Sequence, residues 1–183
     1  MDFSLTENEK KILLSTARES ITSSLEKRTP NYPIPLDSLQ TPLGSFVTLH
    51  IEGNLRGCIG HMLPVKALIE DIKILAKESA FHDPRFPELS IKELELIDIE
   101  ISVLSPLKIS SPDKIIVGKH GIIMKNGYNS GVLLPQVPTE QGWNKEEFLS
   151  YTCRKAGMQE NCWKDPNTQI ETFTAVIFGE KHL

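Results

Sequence analysis

Hydrophobic and polar positions repeat with two periods along the chain. Behind Thr6 and Glu9, a capping-box pair, Leu13 or Leu14, Ala17, Ile21 and Leu25 recur at helical spacing and predict a first helix over 6–26. A second stripe of Val65, Leu68, Ile69, Ile72, Leu75, Ala76 and Ala80 predicts a helix opened by Pro64 and ended before Pro84. A period of two governs 96–104, where Ile97, Ile99, Ile101 and Val103 oppose Asp98, Glu100 and Ser102. Residues 46–51 and 55–61 read as a β-hairpin turned at Glu52-Gly53-Asn54. Shorter strands are expected at 115–117, 121–125 and 131–134, with a last one at 172–178. Asn144 and Glu147 open a helix that runs to about Lys155 and stops at Gly157. Three prolines in 29–35 make an extended connector.

Short, glycine-turned connections favour antiparallel pairing, so the class is α+β rather than a doubly wound parallel sheet. A chain of 183 residues suits one domain or two small lobes, and needs no disulfide or metal to hold it. The net charge of −4 excludes whole-surface nucleic-acid binding, which needs clustered Lys and Arg; the longest basic cluster is Lys27-Arg28. Met1-Asp2-Phe3-Ser4 opens no apolar leader, and no apolar run approaches the ~20 residues of a membrane span. Cys58, Cys153 and Cys162 form no CxxC pair. Read as free thiols, they point to a reducing compartment, the cytoplasm.

The sharpest chemical segment is Leu55-Arg56-Gly57-Cys58-Ile59-Gly60. Strand parity puts Arg56, Cys58 and Gly60 on one face, where a guanidinium beside a thiol favours the nucleophilic thiolate. Gly57 and Gly60 permit close approach by a backbone or a ligand, or a bulge that re-aims side chains. His61 is a candidate base, although its parity sets it opposite Cys58 unless a bulge intervenes. The competing reading is a core cysteine beside a structural arginine. Asp83-Pro84-Arg85-Phe86 offers either a turn tied by an Asp–Arg pair or a bidentate anion site. His120 lies in the turn Gly118-Lys119-His120-Gly121, which lacks P-loop spacing. Gln136, Glu140 and Trp143 are polar-tipped loop residues suited to binding, with Trp143 equally able to plug the core. Glu100 sits on the polar face of its strand. His50, His61, His82, His120 and His182 make no zinc-binding pattern with the cysteines, so no metal or cofactor is expected.

Taken in order, these motifs resemble the AMMECR family, whose archaeal and bacterial members are called AmmeMemoRadiSam system protein A. The match extends through Gly44-Ser45-Phe46-Val47-Thr48-Leu49, the Arg-Gly-Cys-Ile-Gly hallmark, Asp83-Pro84-Arg85-Phe86 and Ile99-Glu100-Ile101-Ser102-Val103-Leu104-Ser105. It continues through Gly118-Lys119-His120-Gly121, Leu133-Leu134-Pro135-Gln136-Val137, Glu140-Gln141-Gly142-Trp143 and Cys153-Arg154-Lys155-Ala156-Gly157. The resemblance implies a single AMMECR-type domain over 1–183, with two unequal lobes around a largely antiparallel, barrel-like sheet with flanking helices. A smaller lobe falls roughly within 30–95. It also implies partners: a Memo-like protein and a radical SAM protein. Where relatives carry an alanine-rich approach to the Asp-Arg-Phe motif, this chain has Ser79-Ala80-Phe81-His82, which bulks the rim of any cleft.

Two functions follow. In the first, an enzyme or enzyme component uses Cys58 as nucleophile or redox thiol. Arg56 activates it, His61, Glu100 or His120 serves as base, and Gln136 and Glu140 orient the ligand. In the second, a non-catalytic binding or adaptor protein shapes a cleft with Arg56 and Gly57 to Gly60, and Cys58 only packs. Nucleic-acid binding or modification is a weaker third.

Overall fold

The structure is a computed structural model describing residues 3–182. The leader expectation at Met1-Asp2 and the side chain of His182 lie outside what is described. The chain divides into two compact units, Met1–Leu104 with Val176–Leu183, and Ser105–Ala175.

The first unit begins with α1 (Glu7–Glu26), whose capping box forms as its residues dictate: Thr6 N–H donates to Glu9 Oε2 at 2.7 Å and Glu9 N–H donates to Thr6 Oγ1 at 3.2 Å. A hairpin of β1 (Ser45–Ile51) and β2 (Asn54–His61) follows. Its turn is the two residues Glu52 and Gly53, with φ of 52° and 80°, the left-handed pair that matches strand twist. Next come α2 (Leu68–Phe81) and β3 (Ile97–Leu104). Leu13, Ala17 and Ile21 of α1 and Ile72, Leu75 and Ala76 of α2 share a core with Val47, Leu49, Ile99 and Ile101 of the sheet. The alternation read in 96–104 is therefore the division between a helix-covered face and an outer face.

The second unit holds β4 (Lys108–Ser110), β5 (Gly121–Asn126), β6 (Asn129–Leu133), α3 (Gln136–Gln141), α4 (Lys145–Lys155) and β7 (Gln169–Phe173). Phe148, Leu149 and Cys153 of α4 pack with Ile122 and Met124 of β5 and Ile170 of β7. The last strand, β8 (Ala175–Gly179), returns to the first sheet. The strand orders are β2-β1-β3-β8 and β4-β7-β5-β6, and β1 with β2, β1 with β3, β4 with β7, β5 with β6 and β5 with β7 pair antiparallel. This is α+β, but neither sheet closes, so the barrel-like expectation is not met.

Four local expectations are corrected. Pro64 does not open α2: Leu63 and Val65 are exposed, and Leu68, whose N–H reaches Thr41 O at 3.2 Å, is the first stripe residue to reach the core. Residues 115–117 form no strand, because Lys119 and His120 N–H both turn back onto Ile116 O. The single strand expected at 172–178 is two strands in different sheets. Ser105 takes Thr174 out of the ladder, accepting its N–H on Oγ at 2.9 Å and donating to its carbonyl at 2.8 Å. Finally, Cys153 and Cys162 form a disulfide, leaving Cys58 as the free cysteine. The thiol argument for a reducing compartment thus loses two of its three cysteines. Among the described residues, no helix is long and apolar enough to cross a membrane.

Candidate functional site

β2 is an edge strand, and its outer edge would offer unpaired backbone groups at Cys58. The Asp-Pro-Arg-Phe turn takes both of them. Cys58 N–H donates to Asp83 Oδ2 at 2.9 Å, and Arg85 Nη2 donates to Cys58 O at 3.2 Å. Asp83 is 4% exposed and also accepts from Arg85 N, Nε and Nη2 at 3.1, 3.0 and 2.7 Å. These bonds, Arg85 first, hold its carboxyl well below the usual carboxylate range. Arg85 is raised in turn, chiefly by Asp83, with Cys58 among the smaller contributions. The sequence alternatives of tied turn and exposed cation therefore coexist: the Arg85 side chain is bonded on one side and 55% exposed.

A bulge decides which residues face Cys58. Leu49 pairs with Gly57 and His50 with Leu55, so Arg56 is the extra residue. Without it, the two-residue turn would set Thr48 against Gly57; with it, Thr48 faces Cys58, and their Oγ1 and Sγ lie 3.2 Å apart. Thr48 also pairs with Glu100 on β3. Cys58, Thr48 and Glu100 form one half-buried row across three strands on the outer face, spanning about 10 Å from the thiol to the carboxylate strand.

The bulge also re-aims Arg56, contrary to the parity reading that made it a same-face neighbour of Cys58. Its Nε donates to Glu93 Oε1 at 2.8 Å and its Nη2 to Glu93 Oε2 at 3.2 Å and Glu88 O at 3.4 Å. Phe86 lies 5.9 Å below Arg56 and 5.6 Å from Arg85, so one ring supports both guanidinium groups. Arg56, followed by the Ser90 bonds, lowers Glu93 from 4.5 to about 2. Stability from this pair is full above pH 4.5 and is lost as pH falls towards 2, because the unfolded chain takes up the proton first. We expect Glu93→Gln to cost about 2 kcal/mol near neutrality, discounted for partial exposure, and progressively less on acidification. Urea melts of both proteins at pH 7, 4.5 and 3 check this; a pH-independent gap would refute it.

The other face of β2 belongs to α2. A Cβ on Gly57 would sit 2.1 Å from Ser79 O, whereas one on Gly60, on the outer face with Cys58, would strike the ring of its β1 partner Phe46 at 2.1 Å. Ser79 Oγ accepts from Ile59 N at 2.9 Å and donates to Val47 O at 2.7 Å, joining helix and both strands. His61 faces this side too: its Nδ1 lies 2.9 Å from the buried Asp71 carboxylate, which Ser45 Oγ approaches at 3.4 Å. The bulge precedes Cys58 and leaves the parity between 58 and 61 unchanged, so the structure does not bring His61 to the thiol. At the end of α2, Phe81 packs on the core and His82 is exposed beside Glu78.

The remaining candidates lie in the second unit. Ile116 N–H donates to His120 Nδ1 at 3.1 Å. Gln136 and Glu140 are exposed on α3, read from sequence as a loop; Pro138 is compatible with the helix because it falls in its first turn, where proline is tolerated. Trp143 packs on the core and stacks on Tyr151 with ring centroids 4.0 Å apart. Sequence reasoning missed Thr48, Ser79, Asp71 and Glu93. Thr48 was legible as a polar position between Val47 and Leu49, but its partner depended on the bulge. Among the described residues, no three His, Cys, Asp or Glu side chains gather as a metal site.

The AMMECR1 family model matches residues 14–178. A protein of Nanoarchaeum equitans is 42% identical over 179 residues, covering 92% of this chain and 98% of its own. One of Methanothermobacter thermautotrophicus is 44% identical, covering 96% of each chain. The crystal structure of an uncharacterized protein from Pyrococcus horikoshii superposes with a TM-score of 0.80 at 39% identity, over 98% of this chain and 95% of that one.

Proposed function

The chain belongs to the AMMECR1 family, and from that premise we propose that the outer face of its first sheet is a thiol-centred site of an enzyme or enzyme component. Cys58 is its nucleophile or redox thiol. The observation that carries this is the capture of both Cys58 backbone groups by Asp83 and Arg85, which holds Sγ on a half-buried face beside the Thr48 hydroxyl. The exposed side of Arg85 takes an anionic group of the substrate, a carboxylate or phosphate. Thr48 orients the thiol, and Glu100 lines the far end of the row. Arg56 and Phe86 hold the clamp in place. The protein works in the cytoplasm beside a Memo-like protein and a radical SAM protein.

One observation favours a non-catalytic binding role instead: His61 is engaged by Asp71 on the opposite face, away from Sγ. Alkylation of the native protein with iodoacetamide at pH 7, resolved by mass spectrometry, separates the two. Under the thiol reading Cys58 labels without unfolding, Arg85→Gln slows labelling at least ~3-fold by releasing the clamp on the Cys58 carbonyl, and Arg56→Gln, at a side chain that bonds Glu93 instead, slows it much less. Labelling only after denaturation defeats the thiol reading and leaves the binding one.

A further inference from the structure

The core of the second unit contains three sulfur atoms in contact. Met124 Sδ lies 3.4 Å from Cys153 Sγ and 3.7 Å from Cys162 Sγ, the two cysteines being joined as a disulfide. Each sulfur comes from a different element. Met124 points inward from β5 and is fully buried, Cys153 sits in the last turns of α4, and Cys162 begins the short turn Cys162–Lys164. An open cavity of about 710 Å³ adjoins them, and Cys162 is part of its wall together with Met158, Gln159 and Lys164. The sulfur cluster is thus buried, with Cys162, 8% exposed, as its member on the cavity wall.

We propose that, once the disulfide is reduced, Cys153, Cys162 and Met124 bind a soft monovalent metal ion, Cu(I), entering through this cavity. Two thiolates and a thioether are the ligand set that selects Cu(I) among the common metals, because all three donors are soft and polarizable. Zinc would want four ligands, and among the described residues no His, Asp or Glu completes a set here. A three-coordinate ion with sulfur at about 2.3 Å needs sulfurs about 4 Å apart. Two edges of that triangle, at 3.4 and 3.7 Å, already approach this length, so only the cysteine pair must open.

The chemistry balances in two steps. A phosphine reductant takes oxygen from water as it becomes a phosphine oxide, and its two electrons convert the disulfide to two thiols. Cu(I) then replaces both thiol protons, which leave to solvent, and gains the thioether lone pair. No electron moves in the second step. A search of cysteine and histidine spacing does not find this site, because its third donor is a methionine on another strand.

The test uses the full chain in a Cys58→Ser background, so that the free thiol contributes nothing. The protein is reduced with a phosphine, freed of excess reductant without oxygen, and titrated with Cu(I) against a chromogenic Cu(I) chelator. The expected result is one Cu(I) per chain, with a near-ultraviolet thiolate charge-transfer band absent from the unreduced protein. Met124→Leu, which keeps volume, should weaken binding at least ~10-fold while leaving the circular dichroism unchanged. Equal affinity in Met124→Leu would overturn the three-sulfur site, as would failure of the reduced protein to compete for Cu(I). Loss of folded signal on reduction would overturn it too, since the site requires the packed core to hold Met124 in place.

Discussion

Gly57→Ala should destabilise the protein by about 3 kcal/mol, lowering the melting temperature by roughly 6–12 °C. The added methyl would lie 2.1 Å from Ser79 O and 3.1 Å from Ser79 C, atoms of the α2 backbone that cannot rotate away. Relief requires α2 to lift or β2 to bend, and either movement breaks the two bonds through which Ser79 Oγ joins Val47 and Ile59. Gly53→Ala is the control. Nothing lies within 4 Å of its Cβ position, and its φ of +80° adds only local strain of about 1 kcal/mol. Thermal melts of the two variants therefore separate a packing requirement from a backbone one. Equal losses would mean that α2 does not press on the motif as tightly as its geometry indicates.

Asp83→Ala should cost about 2–4 kcal/mol and, on the function proposed above, abolish the selective reactivity of Cys58. One buried carboxylate accepts four bonds, from Cys58 N, Arg85 N, Nε and Nη2. Truncation leaves the Cys58 N–H without its acceptor and frees Arg85, whose second contact with Cys58, through the carbonyl at 3.2 Å, then lacks a fixed base. Because the Arg85 side chain is 55% exposed, its charge stays solvated; the loss comes from the bonds rather than from a stranded ion. Asp83→Asn keeps the shape without the charge and should lose about half as much. Chemical denaturation measures the first effect, and site-resolved alkylation the second. A stable Asp83→Ala protein with unchanged Cys58 labelling would refute the clamp.

Local pattern carried much of the fold. Thr6 with Glu9 and Asn144 with Glu147 both form capping boxes, because each joins groups three residues apart. The alternation from Ile97 to Leu104 reads as a strand because successive side chains on a strand must face opposite ways. The family resemblance read from the ordered motifs agrees with the family match. Elsewhere a local cue lost to a partner far away in sequence. Pro64 suggested a helix start, but the segment stays irregular until Leu68 bonds Thr41. Residues 172–178 looked like one strand until Ser105 bonded Thr174 on both backbone groups.

The candidate site shows the same division. Composition and spacing singled out Arg56, Gly57, Cys58, Asp83 and Arg85, since few structural strands need that many glycines beside a cysteine and an arginine. Their chemistry then depended on one extra residue. The bulge sends Arg56 to Glu93 and gives Cys58 the Thr48 hydroxyl, and the turn after α2 makes Arg85 its neighbouring cation. The sequence by itself determined α1, α4, the body of α2, the hairpin, the α+β class and the residues worth examining, because periodicity and capping act within a few residues. Only the tertiary structure decided which guanidinium bonds the Cys58 backbone, which face His61 takes, and that Cys153 meets Cys162 beside Met124. Those pairings are set by strand register and helix packing, which no short window of residues contains.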